Sequence, residues 1–464
     1  MTPELLNQFA AIVGEKHAIR DAASMAGYMM EWREIWVGKS LLVMRPGNTE
    51  EVSRIMKLAS ETGTAIVPQS GNTGLVGGQI PFEDGKELLL SLDRMTKILN
   101  VDAADSTMTV QAGATLKSVQ NAADEAGRLF PLSLASEGSC RIGGNLSTNA
   151  GGLNVLAYGN ARDLCLGLEV VLPDGRIWNG LRRLRKDNAG YDLKNIFIGA
   201  EGTLGVITAA VLKLFPKPRS HETAFIAVTS PQAAVDLLSL TKEMSGNRVV
   251  AFELLPRIAM DFTVKHMGIS NPLVEFSPWY ALSELADPAA GSFETILEEA
   301  MMRGLVTDAT VAQSETQRQA LWAIRELMPE SQKFEGGSIK HDVSVPISKI
   351  PQFIIEATQA VEAYMPQARV MPFGHMGDGN LHFNVSQPVG MDKKKYLDLW
   401  NEMNAVVFDV VLKFEGSISA EHGIGRLKRD HMPEIKSPVE LQMMRDLKKL
   451  FDPTNIMNPG KVLP

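Results

Sequence analysis

The sequence predicts a protein of mixed α-helices and β-strands that folds into two or three domains. Its 464 residues exceed the length at which a single hydrophobic core usually stops growing. Short apolar runs bounded by proline or glycine alternate with longer stretches of helical spacing, a pattern typical of strands and helices in succession. The proline-rich tract Phe215-Pro216-Lys217-Pro218 interrupts both kinds of element and marks a domain boundary.

Hydrophobic spacing predicts the elements in order. Residues 1–40 are predicted to form helix and loops, and Asn48 or Thr49 is placed to cap the next helix. Before the proline-rich tract, strands are predicted at 40–46, 65–68, 87–91, 107–111 and 166–172, and helices at 49–62 and 114–127. After it, strands are predicted at 223–228, 249–254, 338–346 and 381–385, and helices at 231–244, 292–303, 313–326, 353–364, 393–414 and 438–451.

The composition excludes several classes of protein. Apolar residues make up 45% and charged residues 22% of the chain, as in ordinary globular proteins. The net charge of −8 and the lack of a basic stripe argue against nucleic-acid binding. Two cysteines are too few for a disulfide framework, so we expect a reducing compartment. Without a secretory signal or an apolar run of about eighteen residues, the sequence predicts a cytoplasmic protein with no transmembrane segment.

Three glycine-rich loops lie between predicted strands, at 69–78, 136–152 and 198–208, and the first comes directly after a strand. Their backbone N–H groups and small hydroxyls suit a pyrophosphate, although an ordinary surface loop would have the same composition. The first loop matches neither G-x-G-x-x-G nor G-x-x-x-x-G-K-[ST]. Because such loops recur, we expect the backbone to wrap closely around a long polar ligand.

Two later turns concentrate histidine. The stretch 372–384, PFGHMGDGNLHFN, places His375 and His382 around a turn of glycine, aspartate and asparagine. Its glycines predict a sharp turn or a close approach of another group. Glu421 and His422 stand side by side before another pair of glycines. Two histidines and a carboxylate brought together by folding can hold a metal ion with one position open, whereas solvated loop histidines are the alternative.

Two predicted strands carry polar faces. In 338–346, Lys340 and Asp342 point one way, and this face is either exposed to solvent or part of a site. His341 points to the apolar side, which predicts a buried structural histidine. In 381–385, His382 and Asn384 share one face.

Over nearly its whole length, the chain resembles a known group of flavoproteins. Three segments look like the FAD-binding loops of vanillyl-alcohol-oxidase-type flavoproteins, namely 68–78, 142–152 and the sequence GAEGTLG at 199–205. Three more look like the C-terminal half of FAD-linked D-2-hydroxyacid dehydrogenases, namely GHMGDGNLH at 374–382, EHGIG at 421–425 and NPGK at 458–461. That family includes D-2-hydroxyglutarate dehydrogenase, D-lactate dehydrogenase and the glycolate oxidase flavin subunit.

The resemblance implies an α+β fold with a vanillyl-alcohol-oxidase/PCMH-type FAD-binding domain at 1–217. It further implies a ferredoxin-like substrate or cap domain at 218–420 and a C-terminal segment, 421–464, that returns to the FAD domain. FAD is expected to be non-covalent, because the loop at 69–78 contains no histidine or cysteine, and Asn458 is expected near the flavin ring. The implied FAD-binding residues are Gln69, Ser70, Gly71, Asn72, Thr73, Gly74, Leu75, Gly78, Gly138, Ser139, Ile142, Gly143, Gly144, Asn145, Thr148, Asn149, Ala150, Gly151, Gly152, Glu201, Gly202, Ile207 and Asn458.

The resemblance also implies oxidation of a D-2-hydroxy acid to the 2-oxo acid, with hydride transfer to flavin N5. The planar fork of Arg325 would bind the substrate carboxylate, and Lys340 would add a second positive charge. Asn384 would hydrogen-bond the substrate. The alternatives are an ordinary surface arginine at 325 and an ion pair between Lys340 and Asp342.

His375, His382 and Glu421 would bind a divalent metal ion, with zinc expected, and the ion would make the substrate hydroxyl more acidic. His422 is the candidate general base, because a histidine titrates near the working pH. The alternative is that His422 orients the metal ligand beside it.

One position departs from the family pattern. The hydroxyglutarate-oxidising members carry a threonine four residues after the arginine, whereas this chain has Pro329, which offers no donor. The substrate therefore stays open among 2-hydroxyglutarate, lactate, malate and a bulkier acid. An electron-transfer flavoprotein, a quinone or a cytochrome would accept the electrons, and a homodimer is possible. The competing hypotheses are a non-redox flavoprotein of the alkylglycerone-phosphate synthase type and a zinc hydrolase without flavin.

Overall fold

The computed structural model describes residues 1–464, which form two compact units. The first unit comprises Met1–Gly152, Gly159–Lys217 and Glu421–Pro464. The second unit comprises Leu153–Tyr158 and Pro218–Ala420. No helix combines the length and the apolar character that crossing a bilayer requires.

Helices and strands alternate along the whole chain. The strands are β1 (Ala18–Ile19), β2 (Val43–Met44), β3 (Ile66–Gln69), β4 (Leu88–Ser91), β5 (Ile98–Asp102), β6 (Thr107–Gln111), β7 (Arg128–Leu129), β8 (Cys165–Val171), β9 (Ile177–Gly180), β10 (Val206–Lys213), β11 (Phe215–Pro216), β12 (His221–Val228), β13 (Val249–Pro256), β14 (Trp279–Ala286), β15 (Val306–Val311), β16 (Ser338–Ser344), β17 (Arg369–Phe373) and β18 (Asn380–Ser386). The helices are α1 (Pro3–Val13), α2 (Ala22–Met29), α3 (Thr49–Thr62), α4 (Leu116–Glu125), α5 (Ile142–Ser147), α6 (Val155–Tyr158), α7 (Lys194–Phe197), α8 (Pro231–Met244), α9 (Arg257–Met267), α10 (Ser292–Met302), α11 (Glu315–Ser331), α12 (Ile350–Tyr364), α13 (Lys393–Leu397), α14 (Trp400–Lys413), α15 (Met432–Ile435) and α16 (Pro438–Phe451).

The first unit contains two main sheets. One has the strand order β1-β2-β4-β3, in which β2, β4 and β3 run parallel. The other is antiparallel, with the order β5-β6-β10-β8-β9. A bridge between Ile66 and Met457 attaches the C-terminal segment to the edge strand β3. The glycine-rich loop at 69–78 therefore begins where a buried parallel strand ends, a usual place for ligand binding.

The second unit contains a four-stranded antiparallel sheet in the order β13-β14-β12-β15. Together with α8 and α10, these strands form the β-α-β-β-α-β arrangement of ferredoxin-like domains. A second antiparallel sheet has the order β16-β18-β17, and a bridge between Leu254 and Gly374 joins the two sheets. The buried side chains of Phe225, Tyr280 and Phe373 lie in one core cluster.

Local sequence signals predict several elements to the residue. Helix α3 spans Thr49–Thr62, the side chain of Asn48 accepts a hydrogen bond from the Glu51 N–H, and Gly63 ends the helix in the left-handed conformation. The prediction of one continuous helix at 393–414 was wrong, because this segment forms two helices, α13 and α14. Strands β5, β14, β15 and β17 and helices α5 and α9 are among the elements that were not predicted.

Helix α11 continues to Ser331, beyond the predicted end at 326, and contains Pro329. Proline has no N–H, so the carbonyl of Arg325 lacks the donor that a residue four positions later normally supplies. Buried Met328 and Ser331 hold the last turn in place despite the proline. Packing thus overrides a local helix-breaking signal.

Candidate active site

A cavity of about 950 Å³ lies in the first unit, enclosed by the predicted FAD-binding loops. The segments at 68–76, 134–151 and 201–207 contribute most of its lining, and both Glu421 and His422 lie on its wall. Five of the residues predicted to bind FAD do not line it: Gly138, Ile142, Asn149, Gly152 and Asn458. The remaining predicted residues all do, so the three loops converge on one space.

The cavity wall carries polar atoms that lack partners within the protein. The Oγ of Ser70, the Oδ1 of Asn72 and the Nδ2 of Asn145 are buried and make no hydrogen bond. Unsatisfied buried polar groups are costly, so these atoms indicate a polar ligand that supplies the missing bonds. At Gly71, a Cβ atom would lie 2.5 Å from the Ser139 carbonyl oxygen, which explains why glycine is needed where two loops meet. The phosphates and ribityl chain of FAD fit this donor and acceptor set.

The segment 27–34 also lines the cavity, through Gly27, Met30, Glu31, Trp32 and Glu34, and the sequence did not predict this. Trp32 is 69% exposed, so it is not a core packing residue. Glu31 is buried and accepts hydrogen bonds from the N–H groups of Arg33 and Ile35, which fixes this turn. The segment is apolar and aromatic but has no period, so no sequence signal pointed to its role.

The side chains of Asn458 and Glu201 attach the C-terminal segment to the glycine-rich loops. The Nδ2 of Asn458 donates to the carbonyls of Gly78 and Glu201, each at 3.0 Å. The Glu201 carboxylate accepts from the N–H groups of Ile424 and Gly425, at 2.7 and 2.8 Å. Burial raises the pKa of Glu201 to about 7, although these two N–H donors favour its charged form. In this way Asn458 supports the loops from behind the cavity wall.

Glu421 and His422 begin the returning segment. The Oε1 of Glu421 accepts a hydrogen bond of 2.8 Å from the Gly152 N–H. The second unit ends one residue earlier, at Ala420, whose N–H donates to the Asp342 carbonyl. Asp342 is the register partner of His382 in the β16–β18 pair. The chain therefore leaves the second unit beside the strand that carries His382.

His375 and His382 lie close together in the second unit, with ring centroids 5.3 Å apart. His375 is 7% exposed and follows Gly374, whose φ of +139° few residues with side chains adopt. A Cβ at Gly374 would lie 3.2 Å from Cδ2 of His382. The glycine therefore lets the two histidines approach, as the sequence indicated.

Sequence reasoning missed Glu253 in β13, which is 1% exposed. Its Oε1 lies 2.6 Å from Nδ1 of His375, and its Oε2 accepts from Nε of Arg325 at 2.5 Å. Burial alone would raise the pKa of this carboxyl, but His375 and Arg325 lower it to about 2. A lone carboxylate in an otherwise apolar strand was the available signal, since such a charge needs a buried partner.

Arg325 is 6% exposed, so it is not a surface arginine. Its guanidinium lies over the ring of Phe373, 4.9 Å from the centroid. Its single ion pair, with Glu253, uses Nε. The two terminal Nη groups are not engaged in that pair, so they keep the fork that binds a carboxylate.

The polar strand face carries the other predicted residues of this unit. Lys340 is the register partner of Asn384, so their side chains share one face. The Nδ2 of Asn384 donates to Oε1 of Gln332, and Nε2 of Gln332 donates to Oγ of Ser386. Gln332 is 1% exposed and was not predicted, and it fixes which way the Asn384 amide points. His341 points to the other face and is 2% exposed, which confirms the prediction that it is buried.

Two family models match the chain. The model of the FAD linked oxidases, C-terminal domain, matches residues 217–462, and that of the FAD binding domain matches residues 40–180. A relative from Danio rerio, named D-2-hydroxyglutarate dehydrogenase, mitochondrial, is 39% identical over 468 residues. The alignment covers 100% of this chain and 86% of that protein.

Solved structures show the fold. p-Cresol methylhydroxylase with substrate bound has a TM-score of 0.75 at 15% identity and covers 99% of this chain and 96% of its own. Alkyldihydroxyacetonephosphate synthase has a TM-score of 0.74 at 20% identity, and the match covers 99% of this chain and 85% of the synthase chain. The α+β fold with a PCMH-type FAD-binding domain is thus confirmed. The chain therefore belongs to the family of FAD-linked oxidoreductases that includes the D-2-hydroxyglutarate dehydrogenases.

Proposed function

We propose that this protein is a dehydrogenase that oxidises a D-2-hydroxy acid to the 2-oxo acid, with FAD bound non-covalently and a divalent metal ion. The observation that carries the proposal lies in the second unit, where Arg325 and His375 share the buried carboxylate of Glu253. This arrangement places an anion-binding group next to a metal-binding group. A 2-hydroxy acid carries a carboxylate beside its hydroxyl, and it needs both groups.

The carboxylate would bind to Arg325. Its Nη groups can form two parallel hydrogen bonds with a carboxylate, and the Phe373 ring holds the guanidinium plane. Lys340 and Asn384 share the neighbouring strand face and would contact the substrate from there. Because Gln332 takes one N–H of Asn384, that side chain has one N–H and its oxygen left for a ligand.

The metal ion would be held by His375, His382 and Glu421. The two histidines of the second unit are close enough to bind one ion. Glu421 directly follows Ala420, whose N–H donates to the carbonyl of Asp342, and Asp342 is the register partner of His382. Nitrogen and carboxylate ligands of this kind suit zinc. When bound, the ion would supply positive charge that makes the substrate hydroxyl more acidic.

His422 would accept the hydroxyl proton. It lies on the wall of the cavity that the FAD-binding loops enclose, so it belongs to the same unit as the cofactor site. Ser70, Asn72 and Asn145, with their unpaired polar atoms, would hold FAD. Cys140 is buried and does not line the cavity, which favours non-covalent binding. Bound FAD would accept the hydride from the substrate carbon.

The substrate would be D-2-hydroxyglutarate or a similar acid. Pro329 provides no donor near Arg325, so the part of the substrate beyond the 2-hydroxy acid group must find other partners. An external acceptor such as an electron-transfer flavoprotein, a quinone or a cytochrome would take up the electrons. The homodimer and the cytoplasmic location stay predictions from the sequence.

Anaerobic reduction of the flavin tests the proposal. Purified protein would be mixed with D-2-hydroxyglutarate, D-malate and D-lactate, with the L enantiomers as controls. We expect at least one D acid to bleach the yellow flavin absorbance, and a chelator to slow this bleaching until zinc is restored. Protein without flavin would refute the FAD assignment. Flavin that no acid reduces would favour the non-redox alternative, and bleaching unaffected by chelator would refute the metal ligands.

A further inference from the structure

Glu253 is an anomaly in its strand. Strand β13 has the sequence VVAFELLP, and every residue from Val249 to Pro256 is buried. A charged carboxylate in such a strand destabilises the fold unless it is paired and hydrogen-bonded. Both of its oxygens are engaged, one by His375 and one by Arg325.

We infer that Glu253 is a positioning residue, through which one carboxylate orients both the metal-binding histidine and the substrate-binding arginine. The inference rests on the proposed function and deepens it. Glu253 is itself neither a proposed metal ligand nor a proposed substrate-binding residue. It acts through the two side chains that do.

The contact with His375 determines which ring nitrogen carries the proton. A carboxylate only accepts hydrogen bonds, so Nδ1 of His375 must carry the proton. Nε2 is then the nitrogen that can bind a metal ion. Since the 2.6 Å contact also fixes the ring plane, Glu253 sets both the tautomer and the direction of Nε2.

The contact with Arg325 determines which part of the guanidinium remains for a ligand. Because Glu253 takes Nε, the two Nη groups stay available as a pair. The two contacts use different oxygens of one carboxylate group, so a rotation of that group would move His375 and Arg325 together. The metal ion and the substrate carboxylate are thereby held at a fixed relation to each other.

Glu284 offers a matched comparison in the same unit. It is 4% exposed in the adjacent strand β14 and accepts hydrogen bonds from Arg318 and Trp322. Like Glu253 it is a buried carboxylate paired with an arginine of α11. None of its partners is proposed to bind the metal ion or the substrate. A substitution of Glu284 therefore shows the effect of losing a buried ion pair alone.

The test compares Glu253→Gln with Glu284→Gln in the full-length protein loaded with FAD. Zinc affinity would be measured by competition with a chromogenic chelator, and kcat and KM with D-2-hydroxyglutarate. Glutamine keeps the shape of Glu253 but has only one accepting oxygen. We expect Glu253→Gln to bind zinc about 10- to 100-fold more weakly and to raise KM. Glu284→Gln should lower the melting temperature but leave zinc affinity unchanged.

A second variant guards against misfolding of the first. Glu253→Asp keeps the charge but is one methylene shorter, so it should show an intermediate loss of zinc affinity. Equal zinc affinity in wild type and in the Glu253 variants would refute the positioning role and leave the proposed function intact. A wild-type protein that binds no divalent metal ion would refute both.

Discussion

The fork of Arg325 can be tested separately from its charge by the substitution Arg325→Lys. Lysine keeps the positive charge, so it can still pair with Glu253 and leave that buried carboxylate compensated. It has one nitrogen in place of three, so an ammonium that stays on Glu253 cannot also form two parallel bonds to a substrate carboxylate. The variant should therefore fold and bind zinc, but it should bind the acid poorly.

The magnitude follows from the bonds that are lost. The ion pair with Glu253 uses Nε and neither Nη group. If the Nη groups bind the substrate as proposed, replacing that fork removes at least one charge-assisted hydrogen bond. Such a bond contributes about 1.5–3 kcal/mol. At about 1.4 kcal/mol for each factor of ten, kcat/KM for D-2-hydroxyglutarate should fall about 10- to 150-fold.

Arg318→Lys is the matched control. Arg318 lies on the same helix α11 and pairs with buried Glu284 through Nε and Nη2, each at 2.8 Å. Steady-state kinetics, flavin content and melting temperature would be measured for both variants. If Arg318→Lys reduces kcat/KM as much as Arg325→Lys does, the loss reflects general destabilisation and the assignment of Arg325 fails.

Two further predictions concern the second unit. Gly374→Ala should cost about 1–3 kcal/mol of stability and weaken zinc binding, because alanine disfavours the φ of +139° and its Cβ would press on His382. Gly390→Ala is the control, because Gly390 also has a positive φ, +83°, but a Cβ there would have no atom within 4 Å, so zinc binding should be unchanged. Zinc affinity would be measured by competition with a chelator. If both substitutions change it equally, the steric role of Gly374 is refuted. Glu284 has a pKa of about 2 against its usual 4.5: burial raises it, but His221, Arg318 and Trp322 lower it further. A lowered carboxyl pKa stabilises the fold above pH 4.5 and the effect is lost as pH falls towards 2, so Glu284→Gln should cost about 3 kcal/mol at pH 7 and progressively less below pH 4.5. Urea unfolding at several pH values measures this difference, and a gap independent of pH would exclude the carboxyl as its source.

The sequence alone determined the features whose causes are local. Asn48 and Gly63 bound helix α3 because a side-chain cap and a left-handed glycine act within a few residues. Glycine-rich loops between strands predicted the segments that line the cavity. The glycines around Gly374 predicted a sharp turn or a close approach of another group, and the structure identifies that group as His382. These signals depend on the backbone conformation that a short segment can adopt, so they can be read without the fold.

Only the tertiary structure decided the features that depend on partners distant in the chain. In the sequence, Glu253 is only a lone carboxylate within an apolar strand. Its inferred positioning role depends on contacts with His375 and Arg325, which lie 122 and 72 residues away. Gln332 gains its role in the same way from Asn384. Helix α11 passes through Pro329 because buried side chains outweigh the lost backbone bond. Burial and ion pairing are properties of the assembled core, and no local pattern encodes which distant groups will meet there.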